Sequence, residues 1–191
     1  MNPFEELLAK LARAEVRFIL VGGAAVSMQG YSRNTQDVDI LAEASEENAR
    51  RLIEALATWG EGAARELNVE ELAVPQTGAL RIFEDFPLDV FTSMRARALG
   101  RDLTYQDLVV DALTCESTNG TTVLVASIPR LLDLKAATGR AKDQIDADVL
   151  TEILRGTRAK KAADLTTLEL GSTTEDNSDQ GDWPPSQNEK L

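Results

Sequence analysis

Val16-Arg17-Phe18-Ile19-Leu20-Val21 runs into Gly22-Gly23, and fourteen residues after the second glycine stands Asp37-Val38-Asp39-Ile40-Leu41. The first run is short, apolar and closed by glycine, which reads as a buried strand. Ala24 to Gln29 reads as a short helix of small residues stopped by Gly30, and Tyr31 to Gln36 as a polar loop. Asp37 to Leu41 is then a second strand with acids at alternate positions. Residues two apart on a strand face the same side, with Cα atoms roughly 6.5 to 7 Å apart. Asp37 and Asp39 can therefore reach one Mg²⁺. Two acids facing a dry core without a cation would be expensive, so this face should border a cleft. A glycine turn that opens a helix presents backbone N–H groups and a positive dipole end, which suits a phosphate. An ordinary tight turn would use the same two glycines.

A third acid sits in Pro87-Leu88-Asp89-Val90-Phe91, flanked by apolar residues on an expected strand. Asp89 is either an edge-strand carboxylate on a wet face or a partner for a cation. In the second case it could complete a two-metal site or take a proton from an attacking hydroxyl.

Composition removes several alternatives. The 191 residues contain no histidine and one cysteine, Cys115. That excludes histidine-dependent nucleophilic catalysis, imidazole metal sites, thiolate zinc clusters and internal disulfides. A metal here must be a hard cation held by oxygen. The net charge of −12 makes bulk, non-specific nucleic-acid binding unexpected, because backbone affinity comes mainly from Lys and Arg. No apolar run approaches the roughly 20 residues that span a bilayer, so no membrane association is expected. Met1 to Glu6 has neither the basic region nor the apolar stretch of a leader, and a cytoplasmic location is expected.

Around this centre the chain reads as alternating helices and strands. Asn2 and Pro3 open a first helix with Phe4, Leu7, Leu8 and Leu11 on its buried stripe. Ser45 opens another, with Leu52, Ile53 and Leu56 inward and Trp59-Gly60 at its end. Glu61 to Gly78 is open, with a short helix before Pro75. Leu80–Phe83 and Leu88–Phe91 form a pair of strands, and a hairpin between Ala112 and Ser127 turns at Asn119-Gly120. Ser127-Ile128-Pro129 starts a helix through Thr138. A last helix covers Asp143 to Arg155, with Ile145, Val149, Ile153 and Leu154 inward and Gly156 as its stop. The expected fold is α+β, a mixed sheet flanked by helices with C-terminal helices packed on it. The domain is expected over 1–156, with a core at 14–92 and C-terminal helices at 127–156. The remaining 157–191 is polar and acidic and reads as a disordered tail.

Taken together, Val21-Gly22-Gly23-Ala24-Ala25-Val26, Gly30, Arg33, Thr35, Asp37 and Asp39 resemble the nucleotidyltransferase superfamily with the polymerase-β-like palm. The pattern is most similar to the bacterial Gly-Gly-x-Ala, Arg-x-Thr, Asp-x-Asp branch, which includes abortive-infection and toxin–antitoxin nucleotidyltransferases. Asp89 falls where that family has its third acid. Leu131 to Lys135, Gly139-Arg140 and Lys142-Asp143 resemble its C-terminal helices. The resemblance covers about residues 4 to 155 and implies Mg²⁺- or Mn²⁺-dependent transfer of NMP from an NTP such as ATP to an acceptor hydroxyl. Asp37, Asp39 and Asp89 would be the metal-binding, catalytic acids. Gly22, Gly23, Arg33, Thr35 and Lys135 would bind nucleotide or its phosphates, with Arg140 and Lys142 weaker candidates. Many superfamily members have Gly-Ser at the turn, whereas here Gly23 offers only its N–H.

The leading expectation from this resemblance is a toxin that modifies RNA or protein and is held in check by an antitoxin partner. A small-molecule enzyme resembling aminoglycoside nucleotidyltransferases is the alternative, since an acidic cleft attracts a cationic acceptor. A catalytically silent binding module is the third.

Overall fold

The computed structural model describes residues 3–31 and 34–171. The chain forms two units, Met1–Leu154 and Arg155–Leu191. The first opens with α1 (Pro3–Arg13), β1 (Phe18–Val21), α2 (Gly22–Met28), β2 (Val38–Ala42) and α3 (Glu46–Leu56). A 3-10 turn at Ala63–Glu66 and the short α4 (Val69–Leu72) lead to β3 (Leu80–Phe83) and β4 (Pro87–Phe91). Then come β5 (Ser93–Ala96), a 3-10 turn at Arg97–Leu99, β6 (Arg101–Thr104), α5 (Tyr105–Val109), β7 (Leu113–Glu116) and β8 (Thr122–Val125). The last helices are α6 (Ile128–Lys135) and α7 (Ala141–Gly171).

Six strands make one mixed sheet in the order β3-β4-β2-β1-β8-β7, and β5 pairs with β6 separately. This is the α+β arrangement expected from the sequence. Pairing of β1 with β2 is antiparallel and of β2 with β4 parallel. The register aligns residues across four strands in rows. Leu20, Ile40, Val90 and Leu80 form one row, and Val38, Leu88 and Ile82 another. Between them lies the row Val21, Asp39, Asp89 and Arg81. Successive residues on a strand face opposite sides, so the polar row looks away from its two apolar neighbours. Leu7, Leu8 and Leu11 of α1 and Leu52 and Leu56 of α3 join the apolar rows in one core.

Asn48 ties this framework together from inside. It is fully buried. Its Oδ1 accepts from Arg17 N at 2.7 Å, and its Nδ2 donates to the carbonyls of Arg17 and Glu43, each at 2.9 Å. One amide thus satisfies backbone groups at the start of β1 and the end of β2 from α3. Ser45 caps that helix by accepting from Asn48 N.

Several expectations met a different arrangement. The helix after Gly22-Gly23 begins at Gly22 itself. Helix α6 ends at Lys135 rather than Thr138, and Ala136 already has extended backbone. The last helix continues past Gly156 to Gly171, because a glycine inside a helix only weakens it and need not stop it. Its inward residues also differ: Asp143, Asp146 and Leu150 are buried, while Ile145 is 55% exposed. The two aspartates face in because they pair with a lysine, described below. Nothing in the sequence pointed to the β5–β6 hairpin, whose four-residue strands carry arginines and no clear apolar alternation. Asn2 and the tail from 172 onward lie outside the described residues.

Replacing Asn48 by Leu should leave the Arg17 N–H unpaired and remove one of the two donors that serve each of the Arg17 and Glu43 carbonyls. We expect a loss of about 2 to 3 kcal/mol, measured by urea denaturation.

Candidate active site

Carboxylate oxygens of Asp37, Asp39 and Asp89 all lie within 4.8 Å of one another. The sheet register explains this. Asp39 and Asp89 are direct partners in the parallel β2–β4 pair, and Asp37 precedes Asp39 by two positions on the same side. Among the described residues they are the one group of three or more such side chains close enough to share an ion. Asp39 is driven up to about 6 from 3.8, chiefly by burial, then by the charges of Asp37 and Asp89. The Gly23 backbone hydrogen bond and the Lys135 charge act against that rise. Three hard oxygen donors at this spacing fit a divalent cation of the magnesium type.

Gly22 is where glycine is required. Its φ of +62° suits glycine, and a Cβ there would fall on the Asp39 carboxylate. The diglycine is therefore no ordinary turn, since its lack of a side chain lets Asp39 sit against the start of α2. Gly23 serves the same carboxylate through its N–H.

Asp89 is held by a residue that sequence reasoning missed. Arg81 Nε donates to Asp89 Oδ1 at 2.7 Å and Arg81 Nη2 to Oδ2 at 2.6 Å. The hydrogen bonds and charge of Asp89 hold the guanidinium firmly protonated. Arg81 is the direct partner of Asp89 in the β3–β4 pair. The expected strand pair contained both residues, but only its register places them opposite each other.

A cleft of about 190 Å³ joins these groups to Gly22, Gly23, Lys135, Arg140, Lys142 and Asp143. Lys135 lies at its wall with a side chain 9% exposed. Its Nζ is 3.2 Å from Asp143 Oδ1 and 2.7 Å from Asp146 Oδ2. Asp143 also accepts from Thr138 Oγ1 at 2.8 Å and Arg140 Nε at 2.5 Å. Burial pushes the Asp143 carboxyl up, but the hydrogen bonds from Thr138, Lys135 and Arg140 and the Lys135 charge outweigh it and hold it below its usual range. Two buried acids thus fix Lys135 in place. Their spacing of three on one helix was visible in the sequence, yet the helix was expected to bury Ile145 instead.

Thr35 sits beside the acids, its Oγ1 donating to Asp37 Oδ1 at 3.0 Å, with Asp37 O at 3.2 Å. Arg33 lies outside the described residues. The structure therefore brings together Gly22, Gly23, Thr35, Asp37, Asp39, Asp89 and Lys135, and adds Arg81, Asp143 and Asp146.

The raised Asp39 value has a consequence for stability. The native state holds this proton more tightly than the unfolded chain does. Its stabilising effect is present below 3.8 and is lost as pH rises through about 6. At mildly alkaline pH, Asp39→Asn should therefore make the metal-free protein about 1 to 2 kcal/mol more stable by thermal denaturation. That gain should vanish in acid.

No protein-family model and no characterised protein matches the chain at the sequence level. Solved structures do. A lincosamide antibiotic adenylyltransferase, LnuA, in its lincomycin-bound form superposes with a TM-score of 0.50 at 15% identity, covering 80% of this chain and 97% of that one. A Thermotoga maritima protein assigned as a nucleotidyltransferase gives a TM-score of 0.46 at 14% identity, covering 88% and 91%. The likeness to the adenylyltransferase is one of fold, and in this chain the three clustered acids lie on the face of the central sheet.

Proposed function

We propose that the protein is a metal-dependent nucleotidyltransferase that moves NMP from an NTP to an acceptor hydroxyl. The observation that supports this best is the convergence of Asp37, Asp39 and Asp89 beside Gly22, where a Cβ would collide with the Asp39 carboxylate. Asp37 and Asp39 are the ligands that would hold Mg²⁺, with Thr35 fixing the Asp37 carboxylate. When bound there, the ion would supply charge to the triphosphate and polarise the phosphorus under attack. Lys135, fixed by Asp143 and Asp146, adds a positive charge at the cleft wall. In the transfer, the acceptor oxygen forms a bond to the α-phosphorus as the bond to pyrophosphate breaks. The hydroxyl proton passes to Asp89 or to water, and pyrophosphate leaves. The Arg81 fork occupies one lone pair on each Asp89 oxygen and leaves the others open to that contact.

For the acceptor, RNA or protein follows from the resemblance to toxin nucleotidyltransferases, which also implies an antitoxin partner. A second reading has its own support. The superposition spans 97% of the lincosamide antibiotic adenylyltransferase, and a net charge of −12 suits a small cationic acceptor better than a polyanion.

Isothermal titration with each NTP and Mg²⁺ tests the proposal. Wild type should bind, and Asp37→Ala or Asp39→Ala should weaken metal-dependent binding at least about tenfold. Binding by wild type that is indifferent to both substitutions would remove the metal site from the mechanism. Incubation with labelled NTPs should then place label on RNA or protein, or on an added polycationic small molecule, and so separate the two acceptors. Label on none, with NTP bound, would favour a silent binding module.

A further inference from the structure

Arg81 occupies an edge strand, and its side chain is 55% exposed, whereas that of Asp89 is 8% exposed. Its hydrogen bonds among the described residues all go to Asp89. An exposed, flexible cation therefore docks on a buried acid and is anchored by little else. The acid it holds belongs to a group of three whose oxygens lie within 4.8 Å of one another. A carboxylate has about four lone-pair sites, and a forked guanidinium takes one on each oxygen. Any divalent cation that also uses Asp89 must then sit close to a positive charge. At such separations repulsion between cations is worth a large part of a metal's affinity.

We propose that Arg81 is a built-in counter-ion that competes with a divalent cation for Asp89. With the guanidinium docked, a cation is held by Asp37 and Asp39. Asp89 joins only when Arg81 swings toward solvent. The docked arginine also explains how three clustered acids are tolerated before a metal arrives, since one of the three charges is already matched. Both benefits depend on the forked geometry, which a lysine at this position would lose. This inference rests on the reading of the three acids as a metal site.

The test is Mn²⁺ binding by the full chain without nucleotide, followed by calorimetry and by the electron paramagnetic resonance of free Mn²⁺ at mildly alkaline pH. Arg81→Gln should bind Mn²⁺ about tenfold more tightly than wild type, with Arg81→Lys in between. The gain should disappear in Arg81→Gln/Asp89→Asn. Metal-free Arg81→Gln should also melt below wild type, and Mn²⁺ should restore it by a larger shift than wild type shows. Far-UV circular dichroism checks that the edge strand survives. If wild type binds Mn²⁺ through Asp37 and Asp39 but Arg81→Gln binds it equally or more weakly, the counter-ion role is wrong and the metal site stands. If neither protein binds Mn²⁺, both ideas fall together.

Discussion

Mutual repulsion among three carboxylates on one sheet face is the constraint around which this molecule is organised. Each acid is partly or wholly removed from water, and the oxygens come within 4.8 Å of one another. Charges so placed raise one another's proton affinity, and Asp39 shows it, driven up first by burial and then by its two neighbours. The surroundings answer with positive charge and donors. Arg81 clamps Asp89, Thr35 donates to Asp37, and Gly23 and Lys135 act on Asp39. A site left short of positive charge is suited to receiving a cation. The stability given up by leaving Asp39 under-compensated is the kind of local cost that functional sites carry.

The sheet makes this arrangement possible with short-range geometry alone. Because β2 runs parallel to β4 with Asp39 opposite Asp89, two acids distant in sequence become direct neighbours. Apolar rows on either side of the polar row belong to the opposite face and anchor the strands in the core. A register slip of one residue would turn Asp39 and Asp89 into that core, at a cost no fold of this size could bear. The same register sets Arg81 beside Asp89.

On the far side of the cleft, α7 reverses the usual logic of a C-terminal helix. It buries Asp143 and Asp146 and exposes Ile145. The reason is Lys135 at the end of α6, whose ammonium needs two acids in order to be held with little water around it. A buried ion pair contributes little net stability against an apolar alternative, but removing one partner is expensive. Lys135 is therefore fixed in place at the wall of the cleft.

Strands around Gly22, the acids at 37, 39 and 89, the Asn119-Gly120 hairpin and the serine-capped helices could all be read from residues alone. Each depends on local chemistry: apolar runs, alternate spacing, turn residues and caps act over a few positions. The three acids could be nominated because carboxylates amid apolar neighbours demand an explanation wherever they occur. What partners them could not. Arg81 and Asp146 look like ordinary surface residues until strand register and helix packing bring them to Asp89 and Lys135. Burial of Ile145 was expected because an isoleucine normally gains by it, and it was overruled by an ammonium elsewhere in the chain. Identity and spacing determined which groups this protein offers, whereas long-range pairing decided which charges meet, because Coulomb energy depends on distance in space and not on distance along the chain.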